Sequence, residues 1–391
     1  MDQQISPTPS FIIPLSLIIF TLGLTFQSRS IRISFFIALL STSYLTIFRS
    51  STGIPPLNYA YATALGCLTF QAFDFLVLTN PHSELHLVGD EKNISEKPFS
   101  TRFLWAWKLV LSPRGIGWSH EPKDILPPHP KAQSRVSFIS SQFLSTIPWI
   151  FIGDAANLAL RNHPGFQLNG PSISNVGPFM RILNVWIFAL PGAATLQLQY
   201  KMFSIIATAA GFYRPEDWPE LFGKWSDAYT IRRFWGRTWH QIMRRWVSAP
   251  GNIVAQRFLN LKQGTKISAY TKLFVAFLIS GTIHQMCDYS LQHRDFWAGG
   301  SFTFFLSQAV MIILEDSFIA AGERLGIQAG SYVRILGYIW TLVWFAIALP
   351  IWLDPYFHDG MATSEGLSVI GALWKRDWTG SSVNLSLPLS Y

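Results

Sequence analysis

The chain has 391 residues, of which 49% are hydrophobic and only 13% are charged. A soluble domain carries about 25% charged residues, so this composition excludes an ordinary soluble enzyme. The formal net charge of +8 fits basic loops beside membrane spans better than a nucleic-acid-binding surface. Long apolar runs favour spanning helices over barrel strands, and they predict an all-α, polytopic membrane bundle.

Apolar runs predict eight spans, and we interpret residues 1–391 as one integral membrane domain with a catalytic region at residues 212–290. The first run is short and contains Pro14, but no basic segment precedes it, so we expect it to remain in the mature protein. The fifth run is long enough to tilt, or to break at Pro191-Gly192. The predicted spans are residues 11–26, 33–48, 59–78, 136–153, 183–211, 269–290, 302–320 and 333–353.

Two long connections, residues 79–135 and 212–268, carry most of the lysines and arginines, and two predicted spans separate them. They therefore lie on one side, and the positive-inside rule makes that side cytosolic, with both chain termini in the lumen. We expect a multi-pass protein of the endoplasmic reticulum. Glycosylation sequons at Asn93 (cytosolic side) and Asn384 (lumenal side) offer a check. Part of the first connection is expected to lie flat in the interface, with its tryptophans at headgroup depth.

His284 lies inside the apolar run Leu273–Cys287. An ionisable ring in a spanning helix is costly, so it is a functional candidate by default. The functional interpretation is a general base, which takes the proton of an alcohol as that alcohol attacks a carbonyl, and such a group contributes about 10²–10⁴-fold in rate. The alternative is a structural histidine that hydrogen-bonds a neighbouring helix, together with Ser280 and Thr282.

A second histidine, His240, lies in an aromatic and arginine-rich segment, which we predict to be one helix over residues 229–246. One face would be apolar and the neighbouring face basic. Cations beside His240 would keep its ring neutral at pH 7, and the arginines would suit phosphate groups. An amphipathic helix lying on anionic lipid has similar spacing and is the alternative. The apolar face would contain Trp235, Trp239, Ile242 and Trp246, and the basic face Arg233, Arg237, His240 and Arg244.

Two other histidine patterns carry less weight. His284-x-x-x-Asp288 matches a motif of soluble acyltransferases by chance, although Asp288 could still orient the ring. His82-x-x-x-His86 has the spacing of a helical metal pair but lacks the glutamate of the zinc-protease motif. We therefore predict no metal site.

Two segments resemble motifs of the wax synthase-like branch of the membrane-bound O-acyltransferases. They are residues 225–241, Trp-Ser-Asp-Ala-Tyr-Thr-Ile-Arg-Arg-Phe-Trp-Gly-Arg-Thr-Trp-His-Gln, and residues 280–285, Ser-Gly-Thr-Ile-His-Gln. The chain is similar in particular to fungal members that acetylate terpenoid and meroterpenoid natural products. The resemblance implies a helical bundle around a reaction chamber, with the embedded catalytic histidine at His284. The second motif ends here in His240, where sterol and diacylglycerol acyltransferases have asparagine.

The resemblance also implies the reaction and its partners. The chain would be an acyltransferase of secondary metabolism that moves acetyl from acetyl-CoA to a hydroxyl of a lipophilic terpenoid, with no permanently bound cofactor and no nucleic acid. His284 would remove the hydroxyl proton, and His240 or Trp239 would orient a reactant or stabilise the oxyanion. The residues implied for the acyl-CoA site are Arg232, Arg233, Arg237 and Trp239.

Three other functions remain as alternatives. A wax synthase would join a long acyl chain to a fatty alcohol, and it differs from the first interpretation in the size of its tunnel. A transporter would explain the spans but predicts several intramembrane charges and an internal repeat. Only Asp74 and Asp154 provide such acidic groups, and no repeat is visible. A non-catalytic membrane partner would leave both motifs unexplained.

Overall fold

The computed structural model describes residues 5–89, 93–293, 295–328, 330–361, 368 and 370. Apart from one short parallel strand pair, β1 (Ser6–Pro7) and β2 (Ser50–Ser51), the regular structure of these residues is helical. The α-helices are α1 (Ile12–Thr25), α2 (Arg29–Arg49), α3 (Pro55–Ala72), α4 (Pro81–Glu84), α5 (Phe99–Val110), α6 (Arg135–Asn162), α7 (Pro178–Ala209), α8 (Ile231–Arg233), α9 (Arg244–Ile253), α10 (Lys266–Gln292), α11 (Ser301–Arg324) and α12 (Ser331–His358). The π-helices are Phe73–Leu78, Phe234–Thr238 and Val254–Phe258, and the 3₁₀ turns are Ile94–Glu96, Pro164–Phe166, Pro215–Asp217 and Trp225–Asp227.

Each of the eight predicted spans coincides with one of these helices, and the all-α membrane architecture is confirmed. Among the described residues, seven helices are long and apolar enough to cross a membrane, namely α2, α3 with its π-helical extension, α6, α7, α10, α11 and α12. Helix α1 has 14 residues, about 21 Å, which is shorter than a hydrocarbon core of about 30 Å. Helix α7 runs unbroken for 32 residues with Pro191 inside it, so a break at Pro191-Gly192 is not found, and its length of about 48 Å requires tilt.

The contacts of the chain group it into two compact units, each discontinuous in sequence. Unit 1 comprises Met1–Ile125 and Trp239–Gln328, and unit 2 comprises Leu126–Thr238 and Ala329–Tyr391. In unit 1, helix α10 packs against α3, α9 and α11. In unit 2, helix α7 packs against α6 and α12. The boundary after Thr238 divides the aromatic motif, so its two parts are described separately below.

Close helix approaches in unit 1 depend on glycines. A Cβ on Gly281 of α10 would lie 3.3 Å from the Cβ of Phe305 on α11. A Cβ on Gly66 of α3 would lie 3.1 Å from Ile283, and one on Gly251 of α9 would lie 3.1 Å from the backbone of α10. Small residues let helices approach without an intervening side chain. Helix α10 is therefore tightly packed against α3 and α11 at the level that carries His284, and against α9 nearer its start, at Lys272.

Two of the tryptophans in the basic connection after α3, Trp105 and Trp118, are buried within unit 1. Helix α5 packs against α1, and Trp105 is 7% exposed. Trp118 is 2% exposed and belongs to the same apolar cluster as Trp105, Phe20 and Leu24. The apolar face of α5, with Ala106 and Leu109 on it, is covered by protein instead of lipid, because burial on α1 removes the same apolar surface from water.

In unit 2, a buried lysine joins α6 to α7. The Lys201 ammonium group donates hydrogen bonds to Gln142 Oε1 at 3.0 Å and to Ser145 Oγ at 2.8 Å. Asp354 of α12 accepts from the Ser172 hydroxyl and from the Ile173 amide. These polar groups in apolar helices are therefore hydrogen-bonded within the unit, as burial requires.

Candidate active site

The His284 ring lies between two neighbouring helices of unit 1. Its Nδ1 is 3.0 Å from the Tyr59 hydroxyl oxygen on α3. On the other side, the ring stacks on Phe305 of α11, with the centroids 4.6 Å apart and the planes inclined by 12°. Because Gly281 lies one helical turn before His284, α11 comes close enough for this stacking. The imidazole is thus fixed in both position and plane by residues on α3 and α11.

The polar residues that follow His284 cap the next helix. Gln285 Oε1 accepts from the Phe302 amide at 3.0 Å, and Asp288 Oδ2 accepts from the Ser301 amide at 3.1 Å. The first amides of a helix have no partner within the helix, and these two side chains supply it for α11. The residue hydrogen-bonded to Nδ1 of His284 is Tyr59, which the sequence did not suggest, whereas Asp288 caps α11.

The single helix predicted over residues 229–246 is wrong. Helix α8 is one turn long and continues as the π-helix Phe234–Thr238. Residues 239–243 are then non-helical, and α9 begins only at Arg244. The predicted apolar and basic faces therefore do not continue across the segment, and His240 lies in the break.

Hydrogen bonds to carbonyl groups explain why the helix stops. The Gly223 amide donates to the Thr238 carbonyl at 2.9 Å, and the Gln241 side chain donates to the Trp239 carbonyl at 2.6 Å. A continuing helix would use both of these acceptors. A Cβ on Gly223 would lie 2.0 Å from the Arg237 carbonyl oxygen, so only glycine allows this approach. No local pattern in residues 229–246 reveals a partner that is supplied from residue 223.

The His240 ring is half-buried, and its Nδ1 is shielded from solvent with no hydrogen-bond partner among the described residues. Burial lowers the pKa of His240 to about 4, and the nearby His284 and Arg114 act in the same direction. The ring is therefore neutral at pH 7, as we predicted, but not because of the arginines of its own segment. Both histidines belong to unit 1, and His284 is one of the groups that lower this pKa.

Arg114 is a charged neighbour of His240 that sequence reasoning missed. It is 6% exposed and lies in the connection between α5 and α6. The glycines after it, Gly115 and Gly117, have φ values of +67° and +76°, which other residues rarely adopt. The sequence does contain a signal for this position. The segment Pro113-Arg-Gly-Ile-Gly predicts a tight turn, because its two glycines can adopt positive φ values, and Arg114 lies within that turn. The basic connection was instead interpreted through its net charge.

Asp74, one of the two acidic residues weighed against the transporter alternative, has a local partner. Its Oδ2 accepts from Arg245 Nε at 2.8 Å, and its Oδ1 accepts from the Thr79 hydroxyl at 2.9 Å. The Arg245 guanidinium also lies 5.1 Å from the centre of the Phe75 ring. Buried charges of this kind are stabilised by pairing. Asp74 therefore fastens α9 to the end of α3, which is a structural role.

The three arginines predicted for acyl-CoA lie in unit 2, and two of them have contrasting surroundings. Arg233 Nη1 is 3.7 Å from Asp227 Oδ1, and the guanidinium carbon lies 4.6 Å from the centre of the Tyr229 ring. Arg237 is exposed, and within the described residues its side chain has no hydrogen bond or ion pair. Arg232 is half-buried and has interactions of its own. Arg237 is the one of the three that is already free to receive an anion.

The aromatic residues of the same segment have a packing role. The Phe234 ring lies edge-on to Phe345 of α12, with the centroids 4.8 Å apart, and Trp235 lies 6.1 Å from the same ring. Trp239 belongs to unit 1, is half-buried and has its ring centroid 5.4 Å from that of His240. Of the predicted site residues, the structure brings His284, His240 and Trp239 into one unit.

Comparison with known proteins gives a consistent family. The sequence model of the membrane bound O-acyl transferase family matches residues 218–307, which contain both histidines. Acetyltransferase eriL of Hericium erinaceus is 36% identical over 362 residues, covering 91% of this chain and 94% of the relative. Acetyltransferase ple2 of Rhodocybe pseudopiperita is 33% identical over 338 residues, covering 86% and 88%. O-Mevalon transferase macI of Penicillium terrestre is 28% identical over 313 residues, covering 73% and 70%. No solved structure matches the chain.

The helical fold with its membrane-spanning helices and the matches to known proteins agree on one class of protein, the membrane-bound acyltransferases. The chain belongs to the membrane-bound O-acyltransferase family. It is an integral membrane acyltransferase, and its relatives support O-acetyl transfer. The resemblance noted in the sequence is thereby confirmed, and the transporter alternative is not supported.

Proposed function

We propose that the enzyme transfers acetyl from acetyl-CoA to a hydroxyl of a terpenoid or meroterpenoid intermediate in the endoplasmic reticulum membrane, with His284 as the general base. The observation that carries the proposal is the placement of the His284 ring, held between Tyr59 and Phe305 inside a packed set of apolar helices. An imidazole kept away from bulk water suits proton removal from a lipophilic alcohol.

The reaction needs no acyl-enzyme. The hydroxyl proton moves to the His284 imidazole while the alcohol oxygen attacks the thioester carbonyl carbon, giving a tetrahedral intermediate with a negative oxygen. The intermediate then expels the sulfur of CoA, and the imidazolium returns its proton to that sulfur. The products are the acetate ester and free CoA, and His284 is neutral again.

His240 is suited to stabilise the negative oxygen. Its neutral ring carries one N–H, and its buried Nδ1 has no hydrogen-bond partner among the described residues. In the tautomer with hydrogen on Nδ1, that atom would donate to an oxyanion placed beside it, which would restore the missing hydrogen bond during the reaction. Arg114, whose charge acts on His240, would favour the same developing negative charge.

Acetyl-CoA is the co-substrate in this proposal, and Arg232, Arg233 and Arg237 are its candidate phosphate contacts, with Trp239 as a further contact near His240. Guanidinium groups pair with phosphates in a fixed geometry, and the exposed Arg237 needs no displacement of an internal partner. The support is the basic character of this motif together with the acetyltransferase names of the relatives.

One experiment tests donor and acceptor together. Membranes containing the enzyme are incubated with radiolabelled acetyl-CoA or palmitoyl-CoA and with farnesol, geranylgeraniol or hexadecanol as acceptor. Labelled terpenoid acetate is the expected product. Labelled hexadecyl palmitate would instead identify a wax synthase, and the absence of any ester with all six combinations, in membranes where the protein is expressed, would contradict the proposal. Membranes without the protein serve as the control.

A further inference from the structure

The hydrogen bond between Tyr59 and His284 has a consequence for which ring nitrogen can act. We propose that Tyr59 is a positioning residue that fixes the tautomer of His284, so that Nε2 is left as the base. The inference rests on the proposed function, in which His284 removes the proton of the alcohol. Tyr59 lies more than 200 residues from His284 in sequence, on α3, and belongs to neither motif of the catalytic region.

A neutral imidazole carries hydrogen on only one of its nitrogens. If Nδ1 carries it, Nδ1–H donates to the Tyr59 oxygen, and the lone pair of Nε2 is available to accept a proton. If Nε2 carries it, the Tyr59 hydroxyl donates to Nδ1, and Nε2 can only donate. Both arrangements satisfy the observed separation of 3.0 Å, but only the first makes His284 a base at the nitrogen remote from Tyr59.

The first arrangement also fits the charge that develops in the reaction. When Nε2 accepts the proton, the ring becomes an imidazolium and Nδ1–H becomes a stronger donor. The Tyr59 oxygen then accepts a charge-assisted hydrogen bond, which stabilises the charged ring more than the neutral one. Tyr59 keeps its own proton throughout, so it acts through His284 and never on the substrate.

Neighbouring contacts fix the positions of Tyr59 and His284. One turn further along α3, the Thr63 hydroxyl is 3.2 Å from the Cys287 sulfur on α10, so the same two helices meet again beside the pair. Phe305 covers the opposite side of the His284 ring at 4.6 Å. A 180° rotation about the Cβ–Cγ bond would keep the stacking but would break the Tyr59 contact, so this contact fixes which nitrogen faces Tyr59. With Nδ1–H donating to the Tyr59 oxygen, Nε2 is then the nitrogen that can accept a proton.

The test is Tyr59→Phe, with Tyr61→Phe as the matched control. Tyr61 lies on the same helix but lines a separate small crevice with Thr8 and Asn58. The measurements are kcat, KM for acetyl-CoA, the solvent deuterium isotope effect on kcat, and the thermal midpoint in detergent. For Tyr59→Phe we expect kcat to fall about 10- to 100-fold, a part of what a general base contributes, with KM within about twofold of wild type. The isotope effect should increase, because proton removal becomes slower relative to the other steps.

Other results would overturn the inference. An unchanged kcat, or a fall in kcat with an unchanged isotope effect, would mean that Tyr59 only packs or that its hydroxyl donates to Nδ1. A fall matched by Tyr61→Phe, or accompanied by a lower thermal midpoint, would show a structural cause. His284→Ala is measured alongside: if it stays active, the proposed function itself fails, whereas an inactive His284→Ala with a normal Tyr59→Phe removes only the role of Tyr59.

Discussion

His284 and His240 both belong to unit 1, yet the chain holds them by opposite means. His284 stands on a regular 27-residue helix, and its Nδ1 has a hydrogen-bond partner at 3.0 Å. His240 stands in a break between helices, and its Nδ1 is buried without a partner among the described residues. A regular helix with a partner gives a fixed ring, whereas an unsatisfied buried nitrogen is costly unless something else binds it.

This difference suggests a division of work within the site. A base must be aimed before the substrate arrives, so its orienting hydrogen bond belongs to the protein. A group that stabilises the transition state should leave its hydrogen bond unmade until negative charge appears, because only interactions stronger in the transition state accelerate the reaction. His284 meets the first requirement and His240 the second, and variants at the two positions should differ accordingly.

The largest effect is expected at position 284. His284→Ala should lower kcat for acetyl transfer by about 10²–10⁴-fold, because the general base is lost. Expression and membrane insertion should stay near normal, since the ring is half-buried and the substitution removes local contacts such as the stacking on Phe305. Turnover of the labelled ester, normalised to the amount of protein in the membrane, is the measurement.

A matched replacement at a neighbouring position separates chemistry from packing at this site. Gln285 caps α11 instead of facing the Tyr59 pair, so Gln285→Ala should lower the thermal midpoint more than it lowers kcat. Substantial residual turnover by His284→Ala at normal protein levels would mean that the ring is structural, and the contrast between the two histidines would then lose its basis.

A smaller loss is expected at position 240. His240→Ala should lower kcat by about 10- to 100-fold, within the range for removal of one oxyanion donor, and His240→Asn should retain more activity because its amide can still donate. The control for folding is the amount of detergent-soluble, monodisperse protein. Equal activity of the alanine and asparagine variants would argue against a donating role.

The pH profile gives an independent check on His240. Its pKa is lowered to about 4, so the ring stays neutral above that value and becomes charged only as the pH falls towards it. The sign follows directly: loss of the neutral form should affect kcat/KM near pH 4, and none of the inflection seen between pH 5.5 and 8 should belong to this residue. An acid limb centred near pH 6.5 that disappears in His240→Asn would contradict the buried environment.

The same contrast explains how much the sequence could predict. The spans and His284 follow from hydropathy and from the cost of an ionisable ring in an apolar run, which are local properties. The break at residues 239–243 depends on Gly223, and the orientation of His284 depends on Tyr59, which is 225 residues away along the chain. Such contacts come from tertiary packing, and no helical periodicity within the motif encodes them.

Arg114 and Asp74 teach the same lesson about charges. From the sequence, the basic connection was interpreted through its charge as a cytosolic loop, and Asp74 was one of the few acidic residues weighed for a transporter. In the structure Arg114 acts on the His240 ring, and Asp74 pairs with Arg245 at 2.8 Å. The sequence gives the sign of each charge, but the partner of that charge depends on which helices pack together.

The smallest effect is expected among the arginines of unit 2. Here the comparison is between Arg233, which lies beside an acidic partner, and Arg237, whose side chain has no hydrogen bond or ion pair within the described residues. Arg237→Gln should raise KM for acetyl-CoA about three- to tenfold, roughly 1 kcal/mol, with little change in kcat, because an exposed guanidinium without a protein partner is free to bind phosphate. Arg233→Gln should raise this KM less, since Arg233 already lies beside Asp227 and the Tyr229 ring.

The rise in KM for Arg237→Gln should shrink when salt is increased to 0.5 M, because salt screens exposed charges. Arg334→Gln, which alters the other cation beside Tyr229, is the matched control. Equal KM values for wild type and Arg237→Gln at low salt would remove this arginine from the acyl-CoA site.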